Sequence, residues 1–130
     1  MNEFSQALSA TASAMKAQSQ RIRHITENIA NADTPGYRRK ITTFDMALSA
    51  PGESNGVRLG PTILDQSELA QIYDPAHPMA DEAGYFTGSN VNLVIELADA
   101  REAQRSYEAN LKMFDQTRQM ARGLMELLRK

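Results

Sequence analysis

The chain has 130 residues, with 14 basic and 16 acidic side chains for a net charge of −2, no cysteine, and only 6% aromatic residues. That length fits one domain, or one extended element with a small appendage. The near balance of charge argues against a general polyanion binder, and the missing cysteine excludes disulfides, thiolate metal sites and cysteine nucleophiles. Met1-Asn2-Glu3-Phe4-Ser5-Gln6 lacks the basic and apolar stretches of a secretory signal peptide. No apolar run approaches the roughly 20 residues that span a bilayer, so no direct membrane insertion is expected. These features alone would place the protein in the cytoplasm.

From about Asn2 to Asn31 the pattern is helical. Leu8, Met15, Ile22 and Ile29 recur every seven residues, with Phe4, Thr11, Gln18, Ile25 and Ala32 interleaved. Such an a/d seam supports a coiled coil, and a two-sided helix in a bundle satisfies the same spacing. The other faces carry small residues such as Ala7, Ala10, Ser13, Ala14 and Ala17, which allow further helices to approach closely.

The helix should stop within Asn28-Ile29-Ala30-Asn31-Ala32-Asp33-Thr34-Pro35-Gly36-Tyr37. Pro35 has no N–H to continue a helix, and it drives Thr34 toward extended geometry. Pro35-Gly36 suits the central pair of a type II turn, whose second position needs positive φ. Asn31 and Asp33 are placed to tie freed backbone groups through their side chains.

Residues from Tyr37 to Thr87 are punctuated by Gly, Pro, Asn and Asp. Short strands are expected at Arg39–Phe44, Gly56–Leu59, Leu69–Tyr73 and Tyr85–Thr87, with an exposed loop at Ser49–Asn55. About fifty such residues make a marginal independent domain, so this segment should lean on the helices. From Asn90 to Lys130 helical spacing resumes. Leu93, Ala100, Tyr107, Phe114, Ala121 and Leu128 form one row, with Leu97, Gln104, Leu111 and Met125 interleaved. Ser89, Asn90 or Asn92 can cap this helix. A second apolar row, Met113, Met120, Leu124 and Leu127, is more than one neighbouring helix can cover.

The fold expected is mainly α. An N-terminal helix (1–33), a turn with a short-strand excursion (34–89) and a C-terminal helix (90–130) are arranged so that the helices pair as an antiparallel coiled coil. With so little core of their own, the terminal helices are expected to complete their folding on assembly.

Candidate chemistry is sparse. His24 lies beside the seam, and His77 sits in Asp74-Pro75-Ala76-His77-Pro78 without recognised metal-ligand spacing. No catalytic, cofactor-binding or metal residue is identified, and no enzyme is expected. Arg38-Arg39-Lys40, with Arg21 and Arg23, reads as a solvated patch or an inter-subunit ion-pair surface rather than a nucleic-acid site. Asp99, Glu102 and Glu108 are the acidic candidates to meet it.

The stretch Asn28–Tyr37 resembles the N-terminal signature of the bacterial flagellar rod and hook family. Val91-Asn92-Leu93-Val94-Ile95-Glu96, followed by Ala103-Gln104-Arg105-Ser106-Tyr107-Glu108-Ala109-Asn110, resembles its C-terminal signature. Gly56-Val57-Arg58-Leu59, Asp65-Gln66-Ser67 and Tyr73-Asp74-Pro75-Ala76-His77-Pro78 are similar to proximal-rod members, as is the short length. The chain departs from the family pattern at the charged Asp99-Ala100-Arg101-Glu102 and at Ser89, where the family usually has proline.

The resemblance implies a structural subunit of the proximal rod, polymerising in the periplasm into a hollow drive shaft that transmits torque. Its implied partners are itself, other rod proteins, the rod-base adaptor, the MS-ring protein and the flagellar type III export apparatus, with no nucleic acid. Export without a cleaved signal peptide removes the inference of cytoplasmic residence. The implied assembly motif is Asn28, Ile29, Asn31, Thr34, Pro35, Gly36, Tyr37, Asn92, Glu96, Arg105, Tyr107 and Asn110. The expected seam sets Leu8, Met15, Ile22, Ile25 and Ile29 against Leu97, Leu111, Phe114 and Met125, or against neighbouring subunits. The alternatives are another axial subunit of the family, or a soluble helical adaptor or chaperone of flagellar export.

Overall fold

The computed structural model describes residues 2–47 and 56–129, so the loop expected at Ser49–Asn55 lies outside the described residues. Helix α1 (Asn2–Ala30) leads into β1 (Lys40–Ile41), β2 (Phe44–Ala47), β3 (Gly56–Leu59), β4 (Ile63–Leu64), β5 (Gln71–Tyr73) and β6 (Tyr85–Thr87). Helix α2 (Leu93–Arg129) completes the order. The protein is mainly helical, with a small strand excursion between two long helices.

The helices pack against each other and run in opposite directions, since Asn28 meets Glu96 while Arg21 meets Glu102. On α1 the buried positions Thr11, Ala17, Ile25 and Asn28 are joined by half-buried Leu8, Met15, Ile22 and Ile29. Ala17 and Ser13 face a second partner. Ser13 Oγ accepts the Val57 N–H at 3.1 Å, tying α1 to β3. On α2 the buried side is Glu96 and Ala103, flanked by half-buried Ala100, Tyr107, Asn110, Phe114, Thr117 and Ala121. Of the expected row, Ala100, Tyr107, Phe114 and Ala121 are half-buried, whereas Leu93 and Leu128 at its ends face outward. Its companion row falls at 96/103/110/117, one residue before 97/104/111, because polar Glu96 and Asn110 take the inward positions.

The single strand expected from Arg39 to Phe44 is two strands. Lys40 and Ile41 pair with Leu64 and Ile63, whereas Phe44 to Ala47 pair with Leu59 to Gly56. Between Ile41↔Ile63 and Phe44↔Leu59, two residues (Thr42, Thr43) oppose three (Gly60, Pro61, Thr62), which is a bulge. Pro61 lacks the N–H a regular ladder would use, and Thr43 Oγ1 donates to its carbonyl instead. The third ladder pairs β5 with β6 in a hairpin.

Candidate functional site: the elbow between the helices

The elbow begins where α1 runs out of helix. Asn31 Nδ2 donates to the Glu27 carbonyl at 2.9 Å, and Thr34 Oγ1 donates to Asn31 Oδ1. Asp33 is exposed. Gly36 adopts φ +75°, and the Tyr37 N–H returns to the Thr34 carbonyl at 3.2 Å. Positive φ at the second central residue with this closing bond is a type II turn, supplied by Pro35-Gly36. The Gly36 N–H reaches the Thr87 and Gly88 carbonyls, so the turn docks on the segment leading to α2. Ser89 lies there, buried, and its hydroxyl donates to the Ala32 carbonyl. A proline at 89 would have no such donor.

Behind the turn lies a buried polar node. Asn28 and Glu96 are both fully buried, at 0% exposure. Asn28 Nδ2 donates to the Lys40 carbonyl (3.0 Å) and to Glu96 Oε2 (3.3 Å). Its Oδ1 accepts from the Tyr37 hydroxyl and the Lys40 N–H, both at 2.8 Å. An amide side chain has two donor hydrogens and two acceptor lone pairs, so Asn28 is fully satisfied. It pairs with the Lys40 backbone much as a neighbouring strand would, linking α1 to the first residue of β1.

Glu96 uses its other oxygen to accept from Arg39 Nε at 2.7 Å. Arg39 reaches on to Asp65 (3.3 Å) and Asp99 (3.9 Å), and its backbone N–H donates to Asn90 Oδ1 at 2.7 Å. Arg38 Nη1 donates to the Asp65 and Ser67 carbonyls, while Lys40 pairs with Glu27 at 2.6 Å. The basic run is therefore spent inside the chain, correcting the expectation of a solvated or inter-subunit patch. Residues of the two terminal signatures and of the basic run meet in one network. The charged departure at 99–102 belongs to it, since Asp99 meets Arg39 and Glu102 meets Arg21.

The protonation states follow this arrangement. Burial works against the Arg39 charge, but hydrogen bonds and charge from Glu96 and Asp65 outweigh it and raise its pKa. The Glu27 carboxylate is held below its ordinary range chiefly by its hydrogen bond from Lys40, and Lys40 is raised by the same bond. Hydrogen bonds from Ser67 lower Asp65, with Arg39 adding to the effect. Burial pushes the Tyr37 hydroxyl up. The shifts favour the charged forms of Arg39, Lys40, Glu27 and Asp65 and the neutral hydroxyl of Tyr37, and each of these groups has a hydrogen-bond partner at the elbow. Among the described residues no group of three or more acidic or histidine side chains is placed to hold a metal.

The remaining sequence-selected residues are spread along α2. Asn92 caps it, with Oδ1 accepting the Val94 and Ile95 N–H groups. Tyr107 and Asn110 are half-buried toward α1, and Arg105 is exposed. Phe114 is half-buried, whereas Leu97, Leu111 and Met125 face outward in the single chain. His24 Nδ1 lies 2.7 Å from Thr42 Oγ1, and the His77 ring stacks on Phe86. Reading the sequence alone missed Arg39, Asp65 and Asn90 as partners of the node, because their pairing depends on a bulged hairpin that no local pattern announces.

Among the described residues, no helix is long and apolar enough to cross a membrane. A family model described as "Flagella basal body rod protein" matches residues 8–38, which end at the turn. One described as "Flagellar basal body rod FlgEFG protein C-terminal" matches residues 82–127, which contain Ser89, Asn92 and Glu96. The chain is 40% identical to the flagellar basal-body rod protein FlgC of Agrobacterium fabrum, over 99% of this chain and 98% of the relative. It is 34% identical to FlgC of Borreliella burgdorferi, over 88% and 90%. The corresponding identity to FlgC of Escherichia coli O6:H1 is 33%, over 83% and 85%. With the node built from both matched ends and relatives aligned through the excursion between them, the chain belongs to the FlgC family of flagellar basal-body rod proteins.

Proposed function

We propose that this chain forms part of the proximal rod by packing its terminal helices with those of neighbouring subunits around a central channel. The rod role itself follows from family membership: the chain is a structural subunit of the flagellar basal body rather than an enzyme. One observation carries the finer reading. Helix α2 turns polar Glu96 and Asn110 inward, while Leu97, Met113, Met120, Leu124, Leu127 and Leu128 remain outside. Leu128 is 80% exposed. A helix that hides charge and exposes leucine is complementary to apolar neighbours rather than to water.

In this reading residues 1–33 and 90–130 make the inner-tube coiled coil, and residues 34–89 form an outer layer. Leu97, Leu111 and Met125 belong to seams with neighbouring subunits, while Leu8, Met15, Ile22, Ile25, Ile29 and Phe114 serve the pairing within the chain. The assembly motif around Asn28–Tyr37 and Asn92–Asn110 sets the angle between tube and outer layer, so that torque meets a hydrogen-bonded joint. The chain leaves the cytoplasm through the flagellar type III export apparatus without a cleaved signal peptide. It then assembles in the periplasm with other rod proteins, the rod-base adaptor and the MS ring.

Fractionation of flagellated cells tests the proposal. Recovery of the chain with detergent-isolated basal bodies is expected. Recovery only as soluble cytoplasmic protein would favour the export adaptor instead. Gly36→Val should leave export intact and block rod assembly, and normal motility in that variant would refute the role given to the turn.

A further inference from the structure

We infer that the β5–β6 hairpin of one copy docks on the first turns of α2 of the next copy, a heterologous contact that rests on the rod reading above. The hairpin presents Tyr73 (64% exposed) and Met79 (66% exposed), with Ile72 and Tyr85 beside them. Asp74, Asp81 and Glu82 are exposed in the same segment, and none of the three is in an ion pair among the described residues. The platform is pre-organised. Tyr73 and Tyr85 meet edge to face at 5.1 Å, His77 stacks on Phe86 at 3.8 Å, and the Tyr85 N–H is held by Asp81 Oδ1. A rigid surface loses little conformational entropy on docking.

The receiving surface is the open outward strip of α2 made by Val94, Leu97, Ala98, Arg101, Glu102 and Arg105. At 3.6 residues per turn its centre lies opposite Glu96 and Ala103, the side that faces α1. Val94 is 76% exposed. Glu102 reaches back to Arg21, which leaves Arg101 and Arg105 without ion-pair partners among the described residues. The strip is thus apolar at one end and cationic at the other, matching a hairpin that is apolar with an acidic fringe. Arginine serves both parts of such a match, pairing with carboxylates and stacking on tyrosine faces.

Charge also sets the symmetry. Two acidic hairpins repel, as do two arginine strips, so neither surface fits its own copy about a two-fold axis. Repeated head to tail, hairpin against strip leaves one free hairpin and one free strip at the ends and extends into an open assembly, whereas a reciprocal pair about a two-fold axis would stop at the dimer. Arg122 and Arg129 near the end of α2 are a weaker match, since Glu126 lies between them and is in no ion pair among the described residues.

The cysteine-free sequence allows a direct test by disulfide cross-linking. Met79→Cys with Leu97→Cys, as the sole copy in flagellated cells, should give a ladder of dimers and higher multiples in oxidised, isolated basal bodies. Each single variant should stay monomeric. A dimer from either single variant, or a ladder only from Met79→Cys with Met125→Cys, would overturn the inference. So would a monomer-only double variant in basal bodies that contain the chain, a result that leaves the rod reading standing. Absence of the wild-type chain from basal bodies would instead remove the rod reading. In a second arm, Arg101→Glu and Glu82→Arg should each impair swimming while keeping helical circular dichroism. Combining them should restore swimming, and failure to restore it contradicts the pairing.

Discussion

Asn28 spends all four of its hydrogen bonds on three different pieces of chain: Tyr37, the Lys40 backbone and Glu96. Truncating it leaves the Lys40 N–H and carbonyl, the Tyr37 hydroxyl and Glu96 Oε2 without this partner, which costs more than the bonds contributed. Asn28→Ala should therefore lower stability by about 2–4 kcal/mol, read as a fall in the urea midpoint of the purified chain. Unchanged stability would mean the node is not closed in solution. Gly36 is a contrasting case. A Cβ there meets open space, so the penalty for a side chain comes only from φ +75°. Gly36→Val should cost about 1–2 kcal/mol or slightly more, and Gly36→Asn less than about 1, because Asn tolerates the left-handed region. Of these two positions, the glycine was legible from Pro35-Gly36 alone. The asparagine stood out only through its signature, since nothing local says that an amide at the end of a helix will pair with a strand twelve residues on.

Between elements, ion pairs and caps decide how firmly the excursion is held to the helices. Glu27 and Asp65 have lowered pKa values, so their contribution is complete above the ordinary carboxylate pKa near ~4 and is lost as pH falls through the lowered values. Lys40 and Tyr37 are raised, so theirs is complete below their ordinary values near ~10 and is lost as pH rises through the raised ones. A plateau of stability at intermediate pH, with a decline on each side, is expected from urea midpoints measured across pH. Glu27→Gln should shrink both limbs, since Lys40 loses its partner as well. Asn92→Ala should cost about 1 kcal/mol through loss of the α2 cap, seen as a lower midpoint with unchanged helix content. At this scale the sequence was informative where a pattern is long. The ends of α1 and α2 fall within a few residues of those the heptads suggest. It was less informative for β1, β2 and β4, where Gly60-Pro61 inserts a bulge and two-residue strands carry no alternation. It also placed half of the α2 seam one residue late, because a pattern read from apolar residues cannot foresee that Glu96 and Asn110 face inward.

In the whole molecule, polar groups are concentrated at the elbow and between the helices, and large apolar side chains are left on the outside of α2. Such a distribution is unusual for a monomer and is what the proposed packing between rod subunits requires. The shortage of core visible in the composition was the sequence's clearest pointer to assembly, and the direction in which the leucines face was not visible there at all. The most direct test is a density map of the intact basal body at side-chain resolution. The proposed rod packing requires Leu124, Leu127 and Leu128 to be buried against neighbouring subunits, with the residues before Asn31 lining a central channel. Leucines left facing solvent in the assembled rod would contradict it.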